Sequence, residues 1–185
     1  MRFPSDWKPA AVQELQQHMG SFTEWTLCGG CSLDLLLGRE IRPHADIDVG
    51  VFRSQLIPCL RSIGRERVFL CSRPGTQAAW DGETVDPAVH DIWISDGGRE
   101  HWLLQIMIFD DEGDKVFYRR DRRICWPKRC HSFRVGDVQV LNPLITLLYK
   151  ANKSKMEEKE AMDITALITA ASNQAMQRTA DRPYA

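Results

Sequence analysis

The chain has 185 residues, 43% hydrophobic and 26% charged, enough apolar material for one globular domain with a core. Its 24 Lys and Arg nearly cancel 25 Asp and Glu, so no bulk field draws it to nucleic acid or membrane, and any recognition of a polyanion must be local. No apolar run is long enough to span a bilayer and Met1-Arg2-Phe3-Pro4 does not open a signal peptide, which points to a cytoplasmic protein with no membrane partner.

Asp6 is placed to cap a first helix, with Pro9 in its first turn and Ala11, Leu15 and Met19 at helical spacing up to Gly20. Glu24 to Cys28 reads as a core strand, and Ser32 to Leu37 as a short helix closed by Gly38. Between them Gly29 and Gly30 remove side chains where the chain leaves a strand and enters a helix. Backbone N–H groups are exposed there, and the helix terminus adds partial positive charge, so this turn is a candidate phosphate seat. Arg39, Arg42 and His44 follow; they either neutralise the acids beyond them or meet a phosphate group.

Ala45 to Phe52 alternates Asp46, Asp48 and Gly50 with Ile47, Val49 and Val51, the pattern of a strand packed on one side and wet on the other. Residues two apart on a strand point to one face about 6.5 Å apart, so Asp46 and Asp48 can share a divalent cation. Gly50 is expected to leave open space beside them. Cys28 and Cys31 have C-x-x-C spacing, and Cys125 and Cys130 could complete a zinc site, but strand and helix assignments separate the first pair, and buried free thiols are the better reading of the six cysteines.

The order GG-x-S, LGR, R-x-H-x-D-x-D resembles the nucleotidyltransferase superfamily that includes DNA polymerase β. Within it, GGCSLDLLLGREIRPHADIDV is similar to the small aminoglycoside and lincosamide adenylyltransferases, where GG-W-A-x-D-x-x-L-G-R-x-x-R-x-H-x-D-x-D recurs; Cys31 replaces the usual aromatic. The resemblance implies an α+β fold: a mixed β-sheet flanked by helices, with further helices at the C-terminus. It implies Asp46 and Asp48 as ligands of Mg²⁺ or Mn²⁺, and ATP or another nucleoside triphosphate on Gly29, Gly30 and Ser32, with Arg39 and His44 nearby. The implied reaction moves a nucleoside monophosphate to a hydroxyl of a small acceptor such as an aminoglycoside-type antibiotic. The alternatives are a toxin or regulator that modifies tRNA or protein, and a nucleotide binder without turnover.

Ser54 to Gly64 reads as a helix, Arg67 to Ser72 as a strand, and Arg73 to Pro87 as a loop in which Trp80 is core or a stacking platform. Val89 to Ser95 and His101 to Phe109 form a hairpin. The resemblance implies a third carboxylate on the strand after the D-x-D strand, at the position where this chain has Gln105, an amide that cannot accept a proton. The nearest carboxylates are Asp91 and Asp110, and Asp110, on the other pleat at the strand end, needs a bulge to reach the site. Asp91 can replace it as base if a three-residue tip sets it opposite Gln105; a two-residue tip would set it opposite Leu104. Asp110 to Asp114 reads as a solvated acidic turn, with an acidic rim for a polycation as the alternative, and Arg119 to Arg123 as a salt-bridged cluster rather than a nucleic-acid patch. LLQIMIFDDEGDKVFYRRDRRICWP and LNPLITLLYKANKSK resemble a further branch of nucleotidyltransferases, extending the likeness to about Lys155.

Phe133 to Leu141 reads as a hairpin, and Pro143 opens a helix with Leu144, Leu147 and Leu148 inward. By the resemblance, Lys150 near its end reaches the nucleotide phosphates. A last helix, Glu157 to Ala171, turns Ala161, Ile164, Leu167 and Ile168 inward. The expected layout is a catalytic core over 1–142, a helical segment over 143–172 and a disordered tail over 173–185, in a monomer or homodimer.

Overall fold

The computed structural model of the chain describes residues 3–73, 76–152 and 155–180. The N-terminal segment begins with a two-residue strand, β1 (Asp6–Trp7), and not with a helix capped by Asp6; the helix is reduced to α1 (Leu15–Met19) behind one 3-10 turn. Tertiary contact outweighs local spacing here, because the Trp7 ring packs edge-on against Trp93 at 5.1 Å and Asp6 meets His101 at 3.0 Å. Then come β2 (Thr26–Cys28), α2 (Gly29–Leu37), β3 (Asp48–Phe52), α3 (Leu56–Ile63) and β4 (Val68–Arg73). The expected loop after β4 contains a strand, β5 (Thr76–Ala79), antiparallel to β4, while its residues 74 and 75 lie outside the described residues. Trp80 at the end of β5 is a core side chain, 3% exposed.

The hairpin of β6 (Asp91–Ser95) and β7 (His101–Phe109) forms in neither expected register. Asp91 stands opposite Met107, because a longer tip and an irregularity at Ser95 shift the pairing. Next, β8 (Asp111–Glu112), β9 (Lys115–Phe117) and β10 (Cys125–Pro127) make a small separate sheet. The tight hairpin β11 (Ser132–Val135) and β12 (Val138–Leu141) leads into α4 (Pro143–Ala151), whose N-terminus Asn142 caps by accepting from the Leu144 N–H. The last helix is α5 (Glu158–Ala180), and residues 181–185 of the expected tail lie outside the described ones.

Among the described residues the main sheet has nine strands, in the order β11-β12-β2-β3-β7-β6-β4-β5 with β1 against β7. Parallel pairs of β3 with β7, β12 with β2 and β1 with β7 sit among antiparallel ones, which makes the fold mixed α+β. Val49, Val51, Leu104 and Ile106 bury one face against Leu15 and Met19 of α1 and Leu56, Leu60 and Ile63 of α3. Opposite, Cys28, Phe109, Val116, Leu141 and Ile145 form a second cluster. Gly50 belongs to this side, and the space beside it is filled: a Cβ there would lie 2.7 Å from the Phe109 ring and 2.8 Å from Cys28 Sγ. The thiols divide likewise, with Cys28 and Cys59 buried but Cys125 and Cys130 exposed, against the expectation of burial throughout.

The C-terminal helices turn differently from their apolar spacing. On α4, Ile145 and Thr146 are buried and Leu144 is 72% exposed. On α5 the buried positions are Glu160, Asp163, Ala166 and Leu167, while Ala161 and Ile168 face out. Apolar periodicity places Leu167 correctly but not Ala161 or Ile168, because two acids lie on the inner face of α5, and an acid can be buried where cations meet it.

Candidate active site

The two glycines are the first turn of α2 and not a turn before it, since the helix begins on Gly29. Cys28 at the cap contributes no side-chain hydrogen bond, so first-turn N–H groups remain available, at the positive end of the helix dipole. Gly29 has φ +64°, and a Cβ on it would lie 2.1 Å from Asp48 Oδ2. A Cβ on Gly30 would lie 2.3 Å from the His44 ring and 2.6 Å from Arg42 Nη2. Glycine here lets an acid and two basic side chains close over a helix N-terminus.

Asp48 opens β3, and Asp46 lies just before that strand. Ile47 between them is buried and its carbonyl accepts from the Gln105 N–H at 2.9 Å, so pleating extends past the strand end and keeps both acids on one side. Both line a cleft of about 240 Å³ with Gly29, Gly30 and Gln105. Burial first, and then the charge of Asp46, push the Asp48 carboxyl up to about 7. Two crowded carboxylates of which one resists ionisation are a fitting donor set for a divalent cation, whose charge would relieve both penalties.

Gln105 pairs directly with Asp48 across the parallel β3 and β7 strands, so its side chain emerges on the same face. Asp91 is its diagonal neighbour on β6, and the Gln105 amide donates to Asp91 Oδ1 at 3.1 Å. Arg119 approaches Asp91 Oδ2 at 3.5 Å. Asp91 thus reaches the group next to the acids although the pairing differs from either expected one.

The opposite wall comes from α4 and α5. Lys150 lines the cleft and its Nζ lies 2.7 Å from Asp163 Oδ2. Arg42, also lining it, holds the same carboxylate at both oxygens, Nε to Oδ1 at 3.0 Å and Nη2 to Oδ2 at 2.8 Å. Although burial opposes ionisation of Asp163, hydrogen bonds from Arg42 and Lys150 outweigh it and hold the carboxyl below the usual range. Thr146, one turn before Lys150, also lines the cleft, and its buried hydroxyl has no hydrogen-bond partner among the described residues.

Asp46, Asp48, Gly29, Gly30, Gln105 and Lys150 therefore come together around one cleft, with Asp91 beside Gln105. Three other expected site residues stand outside its lining. Arg39 is exposed. Ser32 is fully buried and its hydroxyl donates to the Gly29 carbonyl at 2.7 Å. His44 packs on Gly30 and meets Asp34 at 2.6 Å, which ties the basic loop to α2.

The acidic turn is solvated only at Glu112 to Asp114, which are exposed; before them Arg53 takes Asp110 at 2.6 Å and Lys128 takes Asp111 at 2.6 Å, so those two acids do not form an open acidic rim. The arginine run is not one cluster either. Arg119 and Arg120 line the cleft, Arg122 stacks on Phe117, and Arg123 pairs with the neighbouring Asp121. Sequence reasoning missed Arg119, Arg120, Thr146, Glu160 and Asp163 as members of this region. Acids at Glu160 and Asp163, inside an otherwise apolar helix stripe, were the one available signal.

Residues 11–74 match the family model described as aminoglycoside-2''-adenylyltransferase. Among solved structures, the fold is similar to that of the lincomycin-bound lincosamide antibiotic adenylyltransferase LnuA, with TM-score 0.53 and 16% identity over 84% of this chain and 91% of that one. ANT(2'')-Ia in complex with adenylyl-2''-tobramycin overlaps with TM-score 0.46 and 14% identity, over 90% of this chain and 89% of that one. No curated protein sequence matches the chain.

Proposed function

We propose that the chain is a nucleotidyltransferase, which transfers a nucleoside monophosphate, AMP from ATP, to a hydroxyl of a small antibiotic-like acceptor; the family-model match over residues 11–74 supports this reading. The observation that carries this reading is the closure of Asp48 on Gly29. One carboxylate and one helix N-terminus are in contact, so a cation on Asp46 and Asp48 and a phosphate on the α2 first turn would be neighbours. Mg²⁺ or Mn²⁺ held by the two acids would supply charge neutralisation for the α-phosphate and the departing pyrophosphate.

The chain's own side chains provide the rest. First-turn N–H groups of α2 seat phosphate oxygens, and Arg42 and Lys150 add positive charge along the same wall. The acceptor hydroxyl attacks the α-phosphorus; the new O–P bond forms as the bond to the bridging oxygen breaks, and pyrophosphate leaves. Asp91 takes the hydroxyl proton, held in place by the Gln105 amide. Gln105 standing where the family has a carboxylate makes it an orienting group instead of the base.

A pyrophosphate-release screen tests this reading, using the four nucleoside triphosphates, Mg²⁺ or Mn²⁺, and a panel of lincosamides, aminoglycosides and tRNA. Acceptor-dependent release with a small molecule is expected. Metal-dependent ATP binding without release under any acceptor would identify a binder instead, and labelling of tRNA alone would favour the macromolecular alternative.

A further inference from the structure

Asp163 is a fully buried carboxylate on the inner face of α5, and packing does not explain it. An apolar side chain of similar volume at such a place is commonly neutral or stabilising by comparison. Its partners explain it better. They arrive from two separate elements, Arg42 from the loop before β3 and Lys150 from the end of α4, and both line the cleft that holds Asp46 and Asp48. The two-pronged grip on Arg42 fixes the guanidinium plane, and Arg42 Nη2 is held close over Gly30 in the first turn of α2. Lys150 spends one of its three N–H donors on Asp163, which leaves two to turn toward the cleft.

We propose that Asp163 is a positioning residue for the triphosphate: from α5 it sets the placement of Arg42 and Lys150, so that both cations meet the phosphates beside the α2 N-terminus. This rests on the nucleotidyltransferase reading and deepens it, because it makes the C-terminal helix part of the nucleotide site. Without the carboxylate the two cations would repel each other and take up several rotamers, and ordering them would then be charged to each nucleotide bound.

The test is a binding titration of the full chain with Mg²⁺ and a non-hydrolysable ATP analogue, on wild type, Asp163→Asn, Lys150→Met and the double variant. Asp163→Asn is expected to weaken binding by about tenfold. Since Asp163 acts through Lys150 and Arg42, the double variant should bind less than additively weaker than the single ones. Unchanged or tighter binding by Asp163→Asn, or strictly additive losses, would overturn the proposal while leaving the proposed reaction standing. If Asp163→Asn does not fold, Arg42→Lys keeps the charge but loses the two-pronged grip: weaker binding supports the proposal and wild-type affinity overturns it. A wild type that binds none of the four triphosphates would remove the underlying reading and this one with it.

Discussion

Replacing Gly29 with alanine separates the contact at the heart of the site from ordinary backbone strain. Gly29 and Gly38, at opposite ends of α2, have nearly the same φ, +64° and +65°. An added Cβ is therefore equally strained in both, by roughly 1–2 kcal/mol for a left-handed non-glycine residue. The surroundings differ: nothing lies within 4 Å of a Cβ on Gly38, whereas a Cβ on Gly29 would be 2.1 Å from Asp48 Oδ2. Ordinary contact begins at 3.4 Å, so the Asp48 carboxylate must retreat by more than an ångström. A displacement of that size in a reacting geometry lowers rates by about a hundredfold. Both variants should lose a few degrees of thermal stability, about 2–4 °C per kcal/mol for a chain of this size. Only Gly29→Ala should lose acceptor-dependent pyrophosphate release, by about a hundredfold or more. Differential scanning fluorimetry and steady-state release assays on the pair measure both quantities. Full activity in Gly29→Ala, or equal activity losses in the two, would refute the placement of Asp48 against the helix N-terminus.

Asp48→Asn should abolish transfer yet melt above wild type at pH 8 in chelator. The wild-type carboxyl is raised from 3.8 to about 7, so its ionisation penalises the folded state above pH 7, and the gap to Asn should close as pH falls toward 4. Asp46→Asn should abolish transfer and leave the fold intact, as seen in release assays beside melting curves. Asp91→Asn should slow transfer by about a hundredfold or more at unchanged affinity for the ATP analogue, whereas a normal rate would remove it from the mechanism. His131 is buried and accepts from the Trp126 indole N–H at 3.1 Å through Nδ1, so it is held neutral, and burial lowers its pKa to about 4. Because the unfolded chain takes up that proton near pH 6.5, stability should fall by about 3 kcal/mol as pH drops from 6.5 to 4. His131→Asn should remove that component from denaturation curves recorded across the range.

The local order of the site was legible in the chain, because short-range chemistry writes it there. Two glycines after a strand, a helix closed by glycine and two acids straddling one apolar residue specify a helix N-terminus and a shared carboxylate face with little help from elsewhere. Ile47 buried between Asp46 and Asp48 is that alternation realised. Gln105 beside Asp48 was also reachable, through the motif's strand order, and the parallel register of β3 and β7 pairs the two.

Tertiary structure alone decided everything that depends on which charges meet. Arg119 and Arg123 occur in one five-residue run, yet one reaches Asp91 beside the cleft and the other closes on Asp121 at the surface. The inner face of α5 was misjudged for the same reason: hydropathy assigns acids to water, but a carboxylate met by Arg42 and Lys150 from distant segments can be buried. The pairing of Asp91 with Met107 likewise depended on an irregularity near the hairpin tip that no spacing of apolar residues records. Periodicity reports each residue's preference for solvent, whereas ion pairs and register are properties of two segments at once, and the second segment is supplied only by the folded chain.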